Sequence, residues 1–490
     1  MGKNLKLIII ITITAFNIIF CSNYLLAQSQ SGTLPDSISG LRLYKPDKTC
    51  KGYTIIGPMT QNLKMQILDD AYLINMDGDV ERRWNISAFP AKILPGGSIM
   101  GSKGISINQS LAKIVQVNWT DDTVEWEFDK WVKRVEDDSS YTWFSRQHHD
   151  YIREGNPVGY YAPGQDPKTD GGYTLVLAHQ NVEFPRITKN RLLDDVIYEV
   201  DGNGYLVNED EGGFRWLASE HFDEFGFDED AIFALKGASK LFPLFDWLHI
   251  NSMSLVGPNK WYNSGDERFH PDNIIIDSRN ANFIAIISRD TGKVVWRVGP
   301  DYTEGKPEYK LGKIVGQHHA HIIPEGLPGA GNVLVFDNGG AGGYGSSFFM
   351  PLLPGVFPSE LRPYSRVIEF DPQTLDIVWE YSDKDGFAWP LSGKNHLFFS
   401  IYISSAQRLP NGNTLITEGA TGRIFEVTND KEVVWEYVSP HYSITLNAVY
   451  RAYRVPSKWL MDKKGRMLRD MDGKRLVNYY EKDPLNDPYN

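Results

Sequence analysis

Short apolar runs punctuated by Asp, Gly and Asn recur along this chain, and six of them share one layout: a strand, a polar turn and a second strand. The copies are YLINMDGDVERRW (72–84), KIVQVNWTDDTVEWEF (113–128), VIYEVDGNGYLVNE (196–209), IAIISRDTGKVVWRV (284–298), VIEFDPQTLDIVWEY (367–381) and IFEVTNDKEVVWEY (424–437). All but the third carry a Trp in the second strand. Apolar runs of this length around a turn of a few residues predict β-hairpins. A second unit joins further pairs of runs through Leu409-Pro410-Asn411-Gly412-Asn413, with variants at 93–99 (ILPGGSI) and from Ile323-Pro324 to Val333-Leu334. Two hairpins per repeat make a four-stranded sheet. Six such sheets around an axis predict an all-β fold, a six-bladed β-propeller that protects its strand edges by closing radially.

The repeats span 53–456, and residues 28–52 before them are polar and turn-rich and read as a linker. The largest insertion, about 211–242, places apolar residues at Ile232, Phe233, Leu235 and Leu241. It predicts one or two short helices, either a lid over the propeller mouth or an excursion packed on its own blade. The tail 457–490 is highly charged and reads as a C-terminal surface extension with short strands.

Composition narrows the address and the partners. A net charge of −12 over 490 residues argues against nucleic acid, which calls for a basic face. Lys3 and Lys6 precede an apolar run, Leu7 to Phe20, and Ala27 offers a small residue at a cleavage point. These are the parts of a secretory signal over 1–27, with an uncleaved membrane anchor as the alternative. The expected location is periplasmic or extracellular, with membrane contact only through this segment. Phe20 is bulky for lipid processing at Cys21, and cleavage would leave Cys50 alone, without a disulfide partner.

Candidate chemistry centres on Gly316 to Gly345, where His318, His319 and His321 fall within four positions before a strand. Aligning the repeats on their Leu-Pro sets Ser405 under His319 and Gln407 under His321, and brings His149, His249 and Arg451 to the His319 phase. In a propeller, one phase in successive blades forms a ring around the axis. Imidazoles can ligate zinc, copper or iron. An arginine among them suits a sulfate or phosphate better, because its planar fork of donors matches the oxygens. A neutral histidine can then attack or shuttle a proton. Trp143, Phe144, Tyr344, Phe398, Phe399 and Tyr402 flank these segments and suit an aromatic substrate.

At these residues the chain resembles the bacterial arylsulfate sulfotransferases. The motifs are DWLHINS (246–252), RDTGKVVWRVG (289–299), QHHAHIIP (317–324) with VLVFDNGG (333–340), YSRVIEFD (364–371) with IVWEY (377–381), and YRAYRV (450–455). The resemblance spans roughly 50–456 and implies a secreted six-bladed propeller. Such an enzyme moves a sulfuryl group from a small aromatic sulfate donor to a phenolic acceptor through a sulfated histidine, with no cofactor, nucleotide or metal. Carried over, the catalytic set is His249, His318 (His319 by the alternative register) and Arg451. His149, His321, Asn251, Arg366, His396 and Tyr453 complete the set expected to hold substrate. Two positions depart from the family pattern. The arginine that follows Phe-Asp-Asn-Gly is absent from GGAGGYGSSFF, with Arg366 further on. The nucleophilic histidine of the fifth segment is absent from SSAQRLPNGNTLITEGATGRIFEV, with His396 in GKNHLFF the nearest.

Two other readings compete. A non-catalytic propeller would bind an anionic or aromatic ligand, or a protein. A quinone-cofactor dehydrogenase is suggested by Asp-Thr-Gly-Lys-x-x-Trp at 290–296, but that motif occurs once here and no calcium carboxylate site accompanies it.

Overall fold

The computed structural model describes residues 39–59, 70–103, 112–135, 141–241, 244–340, 342–344, 360, 362–382, 398–441 and 447–489. The signal segment 1–27 and His396 lie outside them.

Six antiparallel sheets form the blades. Blade 1 takes Tyr53–Pro58, Ala71–Ile74 and Val80–Trp84, and its innermost strand, Val449–Val455, comes from the far end of the chain. Blade 2 is Ser87–Ile93, Ile99–Lys103, Lys113–Val117 and Val124–Phe128. Blade 3 is Gln147–Arg153, Thr174–Glu183, Arg191–Val200 and Arg215–Leu217. Blade 4 is Ile250–Leu255, Ile274–Ser278, Phe283–Ile287 and Val294–Val298. Blade 5 is His318–Ile322, Val333–Asp337, Arg366–Phe370 and Ile377–Ser382. Blade 6 is Ser405–Arg408, Thr414–Glu418, Arg423–Val427 and Val433–Val438. The innermost strands touch in blade order and the sixth touches the first, so the ring is closed.

The predicted Trp hairpins are the outer halves of the blades, and the Trp has a physical task. In five of the six blades the indole N–H of the fourth strand donates to a backbone carbonyl in the outer turn of the next blade. Trp126 bonds Asp201 at 3.3 Å, Trp216 bonds Gly292 at 3.0 Å and Trp296 bonds Pro372 at 2.8 Å. Trp379 bonds Asn429 and Trp435 bonds Met76, both at 2.9 Å. The last of these joins blade 6 to blade 1. Trp84 meets the ring of Trp119 edge-on instead, at 5.4 Å. The third hairpin departs from its prediction. Val200 and Leu206 form only an isolated bridge, and the fourth strand is Arg215–Leu217, so Trp216 supplies the Trp missing from 196–209.

Three outlying segments pack more closely than their sequences suggest. Gly40–Tyr44, inside the stretch read as a linker, adds a fifth strand to blade 6 and covers its outer edge. In the insertion, Glu229–Leu241 is an α-helix that buries Ala231, Ala234, Leu235 and Ala238, one face at helical spacing. Leu235 joins Phe222, Phe225, Trp247 and Phe283 in one apolar cluster, so the helix is packed on blades 3 and 4. The tail buries Trp459, Leu460, Leu476 and Tyr489 in an apolar cluster shared with blades 1, 2, 5 and 6. Its backbone exchanges hydrogen bonds with the Tyr53 hydroxyl at Val477 and accepts one from Trp119 at Arg469. Cys50 is buried against the Tyr489 hydroxyl, and burial pushes its thiol up to about 12.

Candidate functional site

The first strands of the blades line the axis, and their pairing defines a common register. Arg153, Ile322, Val455, Leu255, Arg408 and Ile93 each pair with the first residue of the second strand. Four residues before them stand His149, His318, Arg451, Asn251, Ser404 and Phe89. The sequence alignment set His249 level with His149 and Arg451. The structure puts Asn251 there and His249 two residues earlier, at the entry to the strand. Arg451 likewise falls in the His318 phase, one step from the expected His319 phase. The cause is a bulge in these strands, with register shifts between Gln147 and Tyr151, Ile250 and Ser252, and His318 and His321.

At these bulges the backbone is left-handed, with φ of 60° at His149, 52° at His249 and 59° at His319. Such values are costly for a side-chain-bearing residue and persist only where surrounding contacts enforce them.

Asp246, His249 and His149 form one chain of contacts. The Asp246 carboxylate accepts the His249 backbone N–H at 3.1 Å and the Nδ1–H at 2.6 Å. That bond fixes the tautomer and leaves Nε2 of His249 facing Nε2 of His149, 3.0 Å away. The Tyr450 hydroxyl stands 3.3 Å from His149 Nδ1. The Phe89 ring stacks on Tyr450 at 3.7 Å and flanks His149 at 5.1 Å. Burial works against ionised Asp246, but the charge and hydrogen bond of His249, with His179 and His148, together outweigh it and hold the carboxyl below its usual range. Burial, then the charge of His249, pushes His149 well below the ordinary imidazole value.

Below this pair lies a buried ion cluster. Arg451 donates to Asp150 at 2.6 Å and to the Asn251 carbonyl at 2.7 Å. Lys92 donates to the other oxygen of Asp150 at 2.6 Å. Arg451 is therefore already paired with a carboxylate, and its charge is not free for a sulfate. The three histidines of QHHAHII are also engaged. His318 Nδ1 lies 2.8 Å from Asn338 Oδ1, and its Nε2 accepts the Ile403 N–H at 3.1 Å. His319 donates through Nδ1 to the Ala406 carbonyl at 3.0 Å, with Tyr453 Oη 3.4 Å from its Nε2. His321 donates to the His319 carbonyl at 2.9 Å and meets the Tyr160 hydroxyl at 2.8 Å. Burial keeps all three neutral, with His321 lowered to about 4. Asn251 donates to the Gln317 carbonyl at 2.9 Å.

Arg366 is not in the ring. It lies on the third strand of blade 5, where Asp337 holds its Nε at 2.7 Å and Gly312 accepts from Nη2. The buried anion of Asp337 draws it to the blade, away from the axis. Sequence reasoning passed over Asp246, Asp150, Lys92, Tyr450 and Arg279. Arg279 follows the second strand of blade 4, and its backbone N–H donates to the His249 carbonyl at 3.2 Å. Its charge acts on both Asp246 and His318. No histidine motif marks it. The position after the second strand beside His249 was the one available signal.

The sequence model of the family described as Arylsulfotransferase (ASST) matches residues 166–454, more than half of the chain. No curated relative matches the chain. Among solved structures, a protein of unknown function from Bacteroides caccae is 10% identical, with a TM-score of 0.39, over 83% of this chain and 99% of that one. The Cps50 (Swd1) β-propeller domain of Myceliophteria thermophila is 8% identical, with a TM-score of 0.36, over 83% and 91%. A streptogramin B lyase is 11% identical, with a TM-score of 0.34, over 89% and 95%. These likenesses have no bearing on the chemistry of the site.

Proposed function

The chain belongs to the arylsulfotransferase family, and from that premise we propose that it moves a sulfuryl group from an aryl sulfate ester to a phenol at the His249–His149 pair. The observation that carries this reading is the Asp246–His249–His149 chain, which presents one unprotonated Nε2 beside one proton donor.

In the first half-reaction His249 Nε2 attacks sulfur as the S–O bond to the aryl group breaks. The departing phenolate oxygen accepts a hydrogen bond from the His149 Nε2–H and takes its proton from solvent. The new N–S bond leaves His249 cationic at the ring, and the Asp246 carboxylate on Nδ1 offsets that charge. In the second half-reaction an acceptor phenol loses its proton to solvent as the His149 Nε2–H binds its oxygen. The phenolate attacks sulfur, the N–S bond breaks and His249 is restored. Arg279, half-buried and beside His249, supplies positive charge for the sulfuryl oxygens. Phe89 and Tyr450 offer aromatic faces to the phenol. Arg451 and Lys92 act from below, holding Asp150 and the Asn251 carbonyl in place. We further propose export directed by residues 1–27. No helix among the described residues is long and apolar enough to cross a membrane.

The test is mass spectrometry of the protein after brief exposure to a chromogenic aryl sulfate, with phenol release followed in parallel. A sulfate-sized adduct on the peptide bearing His249, discharged by a second phenol, is expected. His249→Ala should abolish both signals. His149→Ala should slow turnover by about 10²-fold, the usual contribution of one positioned donor to developing negative charge. An adduct on another histidine would reassign the nucleophile. A folded sample with neither adduct nor release would point to a ligand-binding propeller instead.

A further inference from the structure

Behind the His249–His149 pair, three successive strands of blade 3 bring His148, His179 and Asp195 together. His179 and Asp195 are direct cross-strand partners. The His148 and His179 rings stack at 3.6 Å and 12°. Asp195 Oδ1 is 3.0 Å from His148 Nε2 and 3.8 Å from His179 Nε2, and one ligand atom from each residue lies within 4.8 Å of the others. All three residues are buried, at 4%, 7% and 0% exposure.

The polar atoms are unsatisfied in a specific way. His148 Nε2, His179 Nε2 and Asp195 Oδ1 have no hydrogen-bond partner among the described residues. The 3.0 Å contact between His148 and Asp195 is close enough for a hydrogen bond but is not aligned for one. A buried polar atom without a partner is costly, and here three lie within 4.8 Å of one another; the rings are stacked, so one must turn to bring both Nε2 atoms onto a common ion. Asp194 and Asp246 add two more carboxylates beside Asp195, against the nearby guanidinium of Arg146. Something cationic and divalent would satisfy both the lone pairs and the charge.

We propose that His148, His179 and Asp195 bind a divalent transition-metal ion of the zinc class. Bonds of about 2.1 Å in a tetrahedral site put ligand atoms about 3.4 Å apart, and the observed 3.0 and 3.8 Å bracket that value. Two imidazoles with one carboxylate favour zinc-like ions over calcium or magnesium, which take oxygen ligands. Asp195 is oriented from behind by the Ile250 N–H, which bonds its other oxygen at 3.2 Å. Asp246 Oδ2 lies 3.8 Å from His179 Nε2 and accepts the His249 Nδ1–H, which ties the cluster to the pair. The ion would pin the strand carrying His149 and the aspartate that orients His249. It takes no part in bond-making, and the inference stands whether or not the chain transfers sulfate.

The test uses the full chain, purified without a histidine tag and stripped with a chelator. Cobalt(II) titration should give the visible bands of a four-coordinate site at one ion per chain. Zinc(II) should displace it and raise the melting temperature by several degrees. His179→Gln should lose the cobalt bands, while His270→Gln, remote from the cluster, should keep them. X-ray absorption of the zinc-loaded wild type should show imidazole scattering, which keeps the test valid if His179→Gln does not fold. Absence of stoichiometric cobalt binding, bands undiminished in His179→Gln, or a zinc shell without imidazole would each overturn the proposal.

Discussion

At the scale of single residues, burial decides which groups carry charge. Asp277 is fully buried on the second strand of blade 4. Its Oδ2 accepts from Ser252 Oγ and the Ala320 N–H, both at 2.7 Å. Its Oδ1 has no partner among the described residues, and burial pushes the carboxyl up to about 7. The folded state therefore keeps this proton across a range where the unfolded chain, near 3.8, has lost it. Stability from this group is full below the unfolded value and falls as pH rises towards the folded one. The slope is about 1.4 kcal/mol per pH unit, a total of roughly 4 kcal/mol. Asp277→Asn should flatten the decline in melting temperature between pH 4 and 7 and leave the variant the more stable at pH 8. A variant that declines in parallel with the wild type would show that Asp277 ionises normally. The same scale explains what could be read of the site. Histidines and Arg451 announce themselves by type and spacing. Asp246 and Asp150 do not, because their roles depend on which oxygen faces which nitrogen across separate strands.

At the scale of elements, the Trp on the fourth strand acts between blades. The indole of Trp435 is fully buried and bonds the Met76 carbonyl, joining the last blade to the first. A net hydrogen bond contributes about 0.5–1.5 kcal/mol, and an acceptor left buried without its donor costs more. Trp435→Phe should therefore lower unfolding stability by about 1–3 kcal/mol in urea titrations. Trp84→Phe should cost less, since the Trp84 indole N–H has no partner among the described residues. Equal losses would place the effect in ring volume and not in the hydrogen bond. The hairpins themselves were legible because apolar alternation and turn residues are local. The third hairpin misled because its fourth strand, Arg215–Leu217, lies beyond a loop that itself looks strand-like.

At the scale of the whole molecule, the two ends of the chain complete the ring. Val449–Val455 supplies the innermost strand of blade 1, and the tail buries Trp459, Leu460, Leu476 and Tyr489 in the apolar cluster that blade 1 shares with its neighbours. Full burial of each large apolar side chain contributes about 1.5–3 kcal/mol. Truncation after Pro456 should thus cost about 5 kcal/mol or more and uncover Tyr53 and Trp119, read as dye binding and an early unfolding transition. A truncated chain with unchanged stability would make the tail a surface appendage after all. The sequence by itself determined the strand-and-turn repeat, the number of blades and which residue types line the axis, since each follows from local patterning repeated along the chain. Only the tertiary structure decided that His249 faces His149 while Arg451 is committed to Asp150. It also decided that Arg366 belongs to Asp337 and that His148, His179 and Asp195 converge. For the residues of the inner strands the physical reason is the bulge, whereas Arg366 meets Asp337 through the pairing of two separate strands. One extra residue in an inner strand leaves the apolar pattern intact but turns each following side chain to a different neighbour, and nothing local records that turn.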